Sequence, residues 1–322
     1  MDQYMKLAYY LPSQVIGNEY FSALANSDEY SCEQIYKKSG IRYRHKAADD
    51  ELTSDLAAKA ALNLINEYDI DPNSIDMLLL CTQSHEYLQP ATIYLLHHKL
   101  NLPKTTNAME INIACSGYAH GLLIAKSLIN SKSVKRVLLC TADLCYKMFE
   151  NSDLSQRILF GDGASATLID DSNAHKIAQI ICGTDGGGYF SMYKKYGGYA
   201  YPSHNSQNSL NMNGPEIFLF TIREIPNLVK QTLKANNLNL DDIDYFVFHQ
   251  ANLLILQAIA KSLKLDNSKV IYDIENVGNT SSSSIPIALK RALNNNTIKP
   301  GHKVLIAGFG IGLAWSATII TI

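Results

Sequence analysis

Three short segments, far apart in the chain, carry side chains able to do acyl chemistry. They are Ile113-Ala114-Cys115-Ser116-Gly117-Tyr118, Phe248-His249-Gln250-Ala251-Asn252 and Val277-Gly278-Asn279-Thr280-Ser281-Ser282-Ser283-Ser284. They supply a thiol, an imidazole and a carboxamide. A thiol can hold an acyl group as a thioester. Hydrogen-bond donors on the other two can stabilise negative charge on the carbonyl oxygen of a second thioester. Loss of CO2 from a malonyl group leaves an enolate with its charge on that oxygen. The enolate carbon can then attack the acyl group on sulfur. The three segments together suit the making of a carbon–carbon bond from two acyl units.

Each residue has a plainer reading when taken alone. Cys115 stands where an apolar run hands over to a helical pattern. A helix N-terminus there would favour thiolate and lower the thiol pKa, whereas a buried cysteine at a strand end would be inert. His249 follows the apolar run Tyr245–Phe248. Ligands in α/β sheets gather at the carboxyl ends of strands, but a histidine there can also cap a helix. Asn279 precedes the helical pattern from Ile285 to Leu293 and could serve as an N-cap. Only as a set do the three point to catalysis. A loop after the strand Val304–Ala307, Gly308-Phe309-Gly310-Ile311-Gly312, offers backbone N–H groups for a tetrahedral oxyanion, as does Cys115 itself. This loop lacks the strand-to-helix context of a dinucleotide fingerprint.

The elements that must position these residues form two similar halves. Asp71–Leu80 resembles Asn239–Phe248, and Lys135–Leu139 resembles His302–Ile306, at offsets of 168 and 167 residues. A weaker echo links Asp162–Ile169 to Leu313–Ile320. Three echoes in one order argue for an internal duplication, with halves expected at 1–175 and 176–322. Buried strands written as continuous apolar runs, such as Met77–Cys81 and Val137–Thr141, are joined by helical patterns such as Leu52–Tyr68, Ser116–Ile129 and Ile217–Ala235. That alternation predicts a largely parallel α/β architecture. The Gly/Tyr/Ser/Asn-rich stretch 183–213 is the expected connector between halves.

Bulk properties narrow the function. The 322 residues are 47% hydrophobic and 18% charged, with a formal net charge of −2, enough to bury a large core. Without a basic block, nucleic acid is not an expected partner. The chain has no apolar stretch of 18 or more residues, and its first residues lack a signal-peptide pattern. A cytosolic protein with no membrane contact is expected. The six cysteines form no Cys-x-x-Cys pair and no zinc spacing, so neither a metal nor a redox cofactor is expected.

With these motifs, and with Ser39-Gly40-Ile41-Arg42-Tyr43-Arg44-His45 and Phe160-Gly161-Asp162-Gly163-Ala164, the chain resembles the β-ketoacyl-(acyl-carrier-protein) synthase III family of the thiolase superfamily nearly end to end. The resemblance implies a thiolase-like five-layered αβαβα fold, a homodimer and a catalytic triad of Cys115, His249 and Asn279. It implies condensation of an acyl thioester with a malonyl group on an acyl carrier protein, in fatty-acid or polyketide biosynthesis. The only prosthetic groups would be phosphopantetheine arms brought by substrates. Phe309, Gly310 and Ile311 would shape the pocket and oxyanion site, and Lys38, Arg42, Asn252 and Lys261 would meet the carrier or its pantetheine.

The sequence also departs from the family pattern. Gln34 and Leu154 stand where a Trp and an Arg often clamp the adenine of CoA. Leu254 replaces an Arg that grips the carrier, and Ile311 replaces a glycine. His85-Glu86-Tyr87-Leu88-Gln89 is polar where a partner subunit's pocket is expected. These changes favour a specialised relative fed by a dedicated carrier. An acyltransferase of the same fold, moving the Cys115-bound acyl group to oxygen or nitrogen, is the alternative. A non-catalytic subunit is disfavoured by retention of the triad. A biosynthetic thiolase is disfavoured because no cysteine follows Cys182.

Overall fold

The computed structural model describes residues 5–25, 27–149, 153–202 and 210–322. Residues 1–4 of the N-terminal stretch and 203–209 of the expected connector lie outside the described residues. In chain order the first half contains β1 (Lys6–Tyr10), β2 (Gln14–Gly17), α1 (Asn18–Ala25), α2 (Cys32–Ser39), β3 (Tyr43–Lys46), α3 (Thr53–Glu67), β4 (Met77–Cys81), α4 (Thr92–Lys99), β5 (Asn107–Ile111), α5 (Gly117–Asn130), β6 (Arg136–Asp143), α6 (Leu154–Arg157) and β7 (Gly163–Asp170). The second contains β8 (Ile181–Thr184), β9 (Met192–Lys194), β10 (Leu210–Met212), α7 (Gly214–Ala235), β11 (Tyr245–Phe248), α8 (Leu253–Leu263), α9 (Ser284–Asn294), β12 (Lys303–Gly310) and β13 (Ala314–Thr321).

These strands form two larger sheets, with β2–β3 and β9–β10 as separate two-stranded pairs. One has the order β1-β7-β6-β4-β5, the other β8-β13-β12-β11. In the first, β4 pairs parallel with β5 and β6, and β7 pairs antiparallel with β6 and β1. The second repeats the sense: β11 is parallel to β12, and β13 is antiparallel to β12 and β8. The three sequence echoes fall on the equivalent strands, β4 with β11, β6 with β12, and β7 with β13.

Why the central strands read as unbroken apolar runs is clear from their packing. Along β4, Met77, Leu79 and Cys81 join one core and Leu78 and Leu80 another, because successive side chains face opposite sides. The core between the sheets takes Tyr118, Leu122 and Ile129 from α5 and Ile285 and Leu289 from α9. α3 and α4 pack on the outer side of the first sheet, with Leu56, Leu64, Ile93 and Leu96 buried. On the outer side of the second, α7 and α8 bury Leu228, Leu256 and Ile259. The layers are therefore αβαβα.

Two boundaries differ from the sequence reading. The chain crosses between sheets in 171–180, since β7 ends at Asp170 and β8 begins at Ile181. The stretch 183–213 is instead an excursion that starts within β8 and contains the β9–β10 hairpin. Its Gly and Tyr content suggests a connector, whereas its described residues include a 3-10 turn at Gly186–Ser191 and the strands β9 and β10. The second difference lies at Gly308–Gly310, which belong to β12 rather than to a loop and pair with Ser316, Trp315 and Ala314. Glycines after an apolar run suggest a loop, whereas here they allow close backbone approach within the strand.

Candidate active site

The three signature segments meet between the sheets. Cys115 lies in the turn from β5 to α5, two residues before the helix, and is 5% exposed. β12 runs against this turn. A Cβ on Gly310 would lie 3.0 Å from Cys115 Cβ and 3.2 Å from its Sγ, and one on Gly308 would lie 2.7 Å from the Cys115 carbonyl oxygen. Both positions need glycine because the nucleophile's turn occupies the space a side chain would fill. Gly310→Ala is expected to cost roughly 1–3 kcal/mol by overpacking and to slow Cys115 alkylation. Chemical denaturation and peptide mapping check this, and an unperturbed variant would contradict the packing.

His249 follows β11, where its N–H donates to the Ala307 carbonyl at 2.8 Å. Its Nδ1 lies 2.7 Å from Ser284 Oγ, and its ring meets Phe309 edge to face with centroids 5.4 Å apart. Phe309 sits between the two glycines that touch the nucleophile's turn. Burial lowers the imidazole pKa from 6.5 to about 3, so the ring is neutral at physiological pH.

Asn279 is held by backbone bonds, its N–H to Leu159 O and its carbonyl from Gly161 N–H. Gly278 before it has φ +76, with Arg44 Cβ 3.0 Å from where a Cβ would stand. The Asn279 Oδ1 accepts the Ser281 N–H at 2.9 Å, and Nδ2 reaches the Ala251 carbonyl at 3.5 Å. Asn279 is not the helix cap, since α9 is preceded by Ser283 with no side-chain cap; its oxygen closes a local turn onto Ser281 and its NH2 group is the donor it can offer a substrate. Ser281 in turn places its Oγ 3.8 Å from Cys115 Sγ. The thiol, imidazole and carboxamide are linked through Ser281 on one side and Phe309-Gly310 on the other.

One expectation fails. Cys115 is not a lowered-pKa thiol: burial pushes it up to about 12, helped by the Asp143 charge and opposed by Ser281 and its own N–H. The helix N-terminus alone does not keep a sulfur ionised in a dry site. Ile311 lies in the β12–β13 turn and packs against a cluster of Cys145, Phe149, Phe160, Met192 and Leu210.

The residues assigned to carrier or pantetheine contact are not drawn into this centre. Asn252 caps α8, its Oδ1 accepting the Ile255 N–H at 2.9 Å. Lys38 pairs with Glu29 at 3.2 Å on the surface. Arg42 pairs with Glu275 at 2.6 Å, stacks 4.1 Å over the Tyr36 ring and helps line a cavity of about 290 Å³ with Asn18, Glu19 and Cys32. Lys261 is exposed on α8. Leu154, in the adenine-clamp position, packs on a cluster holding Phe21, Ile35 and Tyr146.

Sequence reasoning missed Asp143 and left the serine run without roles. Asp143 is fully buried and accepts the Gln83 N–H at 2.8 Å and the Ser282 hydroxyl at 2.7 Å. The signal was a single acid ending the buried run Val137–Ala142, where Thr141 is the one other polar residue. Among the described residues no cluster of His, Cys, Asp or Glu could hold a metal ion, and no helix is long and apolar enough to cross a membrane.

Comparison with known proteins gives one consistent result. Residues 109–186 match the model of 3-oxoacyl-[acyl-carrier-protein (ACP)] synthase III, and residues 233–322 match its C-terminal part. The β-ketoacyl-[acyl-carrier-protein] synthase III of Clostridioides difficile (strain 630) is 35% identical over 97% of this chain and 95% of its own. That of Staphylococcus aureus (strain Newman) is 34% identical over 97% and 96%. A crystal structure of a 3-oxoacyl-(acyl-carrier-protein) synthase III superposes with a TM-score of 0.93 at 33% identity, covering 98% of both chains. The priming β-ketosynthase of the R1128 polyketide biosynthetic pathway superposes with a TM-score of 0.89 at 26% identity, over 98% of this chain and 94% of its own. With its five-layered architecture and near full-length similarity, the chain belongs to the β-ketoacyl-(acyl-carrier-protein) synthase III family.

Proposed function

We propose that this chain loads an acyl group onto Cys115 and condenses it with a malonyl group carried by an acyl carrier protein, releasing CO2 and a β-ketoacyl product. The observation that carries the reading is the convergence of Cys115, His249 and Asn279 around Ser281, Phe309 and Gly310. Cys115 Sγ would attack the donor thioester. His249 and Asn279 would then donate to the malonyl thioester oxygen as CO2 departs, stabilising the enolate. Ser284 Oγ accepts the Gln250 N–H at 3.3 Å, and donation of its own proton to His249 Nδ1 would leave the imidazole proton on Nε2. That neutral tautomer is a donor, and with the pKa near 3 it persists well below pH 6.

An acyl transfer to oxygen or nitrogen instead would use His249 as base and draw less on the Asn279 donor. Mass spectrometry of Cys115 after incubation with a panel of acyl-CoA and acyl-carrier-protein donors, followed by malonyl-carrier protein, tests the proposal. The expected sequence is an acyl adduct on Cys115, then CO2 release and a β-ketoacyl product. An adduct discharged to a hydroxyl or amine acceptor without CO2 would favour the alternative.

For partners, the reading adds a carrier protein and a second copy of the chain. The β5 edge is unpaired on one side among the described residues, with Met109 47% exposed, which offers a strand for pairing between protomers. All six thiols are free, in keeping with a cytosolic setting. The two halves, divided near 175/176, are read as products of duplication. The face at the start of α8 exposes Leu254 at 50% where a basic residue would grip an acidic carrier. Leu254→Arg is expected to tighten carrier binding, measured by calorimetry or fluorescence anisotropy. Unchanged affinity would remove this face as the docking surface.

A further inference from the structure

Arg44 on β3 is wholly buried and is the largest such side chain among the described residues. A buried cation is costly, and it is normally paired or kept for a purpose. The hydrogen bonds of this guanidinium go to neutral acceptors. Nη1 donates to the Ile16 carbonyl at 3.3 Å and to Asn18 Oδ1 at 2.9 Å. Nη2 donates to Asn18 Oδ1 at 2.9 Å and to the Ile158 carbonyl at 2.7 Å. The guanidinium carbon lies 4.8 Å from the centre of the Phe21 ring. Burial lowers the pKa from 12.5 to about 10, which leaves the group charged near neutral pH. A planar fork with donors on two nitrogens can clasp two segments at once. One segment is the junction of β2 and α1 at Ile16–Asn18. The other is the chain leaving α6 at Ile158.

The residues after Ile158 form the backbone template of Asn279. Leu159 O accepts the Asn279 N–H at 2.9 Å, Gly161 N–H donates to the Asn279 carbonyl at 3.0 Å, and Phe160 and Asn279 pair as a parallel bridge. The approach is close. A Cβ on Gly161 would lie 2.6 Å from the Val277 carbonyl oxygen and 3.3 Å from Arg44 Cβ, and one on Gly278 would lie 3.0 Å from Arg44 Cβ. The stem of Arg44 thus packs where the two segments meet, while its head holds the start of one of them. The far end of that segment is tied to β3 and the residue after it. Asp162 N–H donates to the His45 carbonyl at 2.8 Å, and Ala47 N–H donates to Asp162 Oδ2 at 2.8 Å. At the near end, among the described residues, the Ile158 carbonyl receives its hydrogen bond from Arg44.

We propose that Arg44 is a positioning residue for Asn279, acting through the segment 158–161. This rests on the reading that the Asn279 NH2 group donates to the malonyl thioester oxygen. By clasping the Ile158 carbonyl, Arg44 fixes 158–161, and those residues fix the Asn279 backbone through its own N–H and carbonyl. The side-chain Oδ1 is tied to the Ser281 N–H at 2.9 Å, so the carboxamide is left with one orientation. A donor held in place before charge develops needs no reorganisation as CO2 departs. The Cys115 turn is braced instead by Gly308 and Gly310 of β12. Loading of the sulfur is therefore independent of the clasp, whereas stabilisation of the enolate depends on it.

The test uses the full-length protein with Arg44→Met, Asn279→Ala and the two combined, each shown by thermal melt to be folded at the assay temperature. Methionine fills the volume of the stem but donates nothing to the Ile158 carbonyl. Two rates are measured separately: acylation of Cys115 by the S-acetyl thioester of N-acetylcysteamine, and CO2 release from the S-malonyl thioester. Arg44→Met is expected to slow CO2 release by about tenfold or more, with acylation within about twofold of wild type. In the Asn279→Ala background the same substitution is expected to change CO2 release by less than about twofold, because the group it positions is already gone. A residue that merely supports the fold would slow both reactions, and would do so in both backgrounds. Equal slowing of CO2 release with and without Asn279 overturns the proposal. So does CO2 release within about twofold of wild type in Arg44→Met, or a parallel loss of acylation. Should Arg44→Met fail to fold, Arg44→Lys takes its place, since one nitrogen cannot clasp both segments, and the same outcomes decide. CO2 release at the wild-type rate in Asn279→Ala sinks the donor role itself, a failure distinct from additivity between the two residues.

Discussion

Cys115→Ala is expected to show no acyl adduct by intact mass under conditions that fully acylate the wild type, and condensation is expected to fall by a factor on the order of 10³ or more. The reason is chemical: without Sγ there is no atom to hold the first acyl unit while the second is prepared. The substitution removes one sulfur from a site where Gly310 and Ser281 already crowd the residue. Stability is therefore expected to change little. The other thiols are poor substitutes. Cys81 and Cys140 lie within strands, Cys145 follows β6, and Cys182 is exposed on β8, so none stands in the β5–α5 turn beside Gly310. An adduct of unchanged yield in the variant would place the acyl group elsewhere and end the assignment.

Removing the enolate-facing donors is the second large effect. His249→Ala and Asn279→Ala are each expected to slow CO2 release from malonyl-carrier protein by about 10²–10³, the loss of one oxyanion donor. Acylation of Cys115 is expected to stay within a few-fold, since neither group is needed for loading. Asn279→Ala has a second consequence, because Oδ1 also accepts the Ser281 N–H. Asn279→Asp separates the two: it keeps that acceptor and replaces the NH2 donor with a carboxylate oxygen facing the developing charge. Its decarboxylation should fall at least as far as that of Asn279→Ala, with acylation spared. Equal loss of loading and CO2 release in all three variants would make these residues supports of the site rather than donors to the enolate.

Much of the fold was legible because its signals are local. Met77–Cys81 and Tyr245–Phe248 are strands with the bounds that their apolar runs predicted, and the repeated order of strands matches the repeated sequence. The stretch 183–213 misled because a Gly- and Tyr-rich composition fits any link between strands without saying which strands it joins, and the crossing between sheets lies at 171–180. Gly308 and Gly310 misled for a related reason: glycine signals either a turn or a close approach, and only the neighbouring Cys115 turn decides between them.

The site shows the same division. Residue types and their company named Cys115, His249 and Asn279, because a thiol, an imidazole and a carboxamide in small-residue settings are chemically unusual enough to notice. What they could not convey was environment. The thiol's pKa is set by how much water the fold removes, so the local expectation of a lowered value gave way to one near 12. Nothing in the neighbouring sequence of Asp143 or of the run Ser281–Ser284 discloses a role in the site. Folding sets Ser281 3.8 Å from the Cys115 sulfur and Ser282 on Asp143, each across more than a hundred residues of sequence, and Ser284 on the His249 imidazole across 35. Chemistry carried by a single side chain can be read along the chain, whereas protonation, hydrogen-bond direction and close approach depend on what lies across the interior, and those belong to the tertiary structure alone.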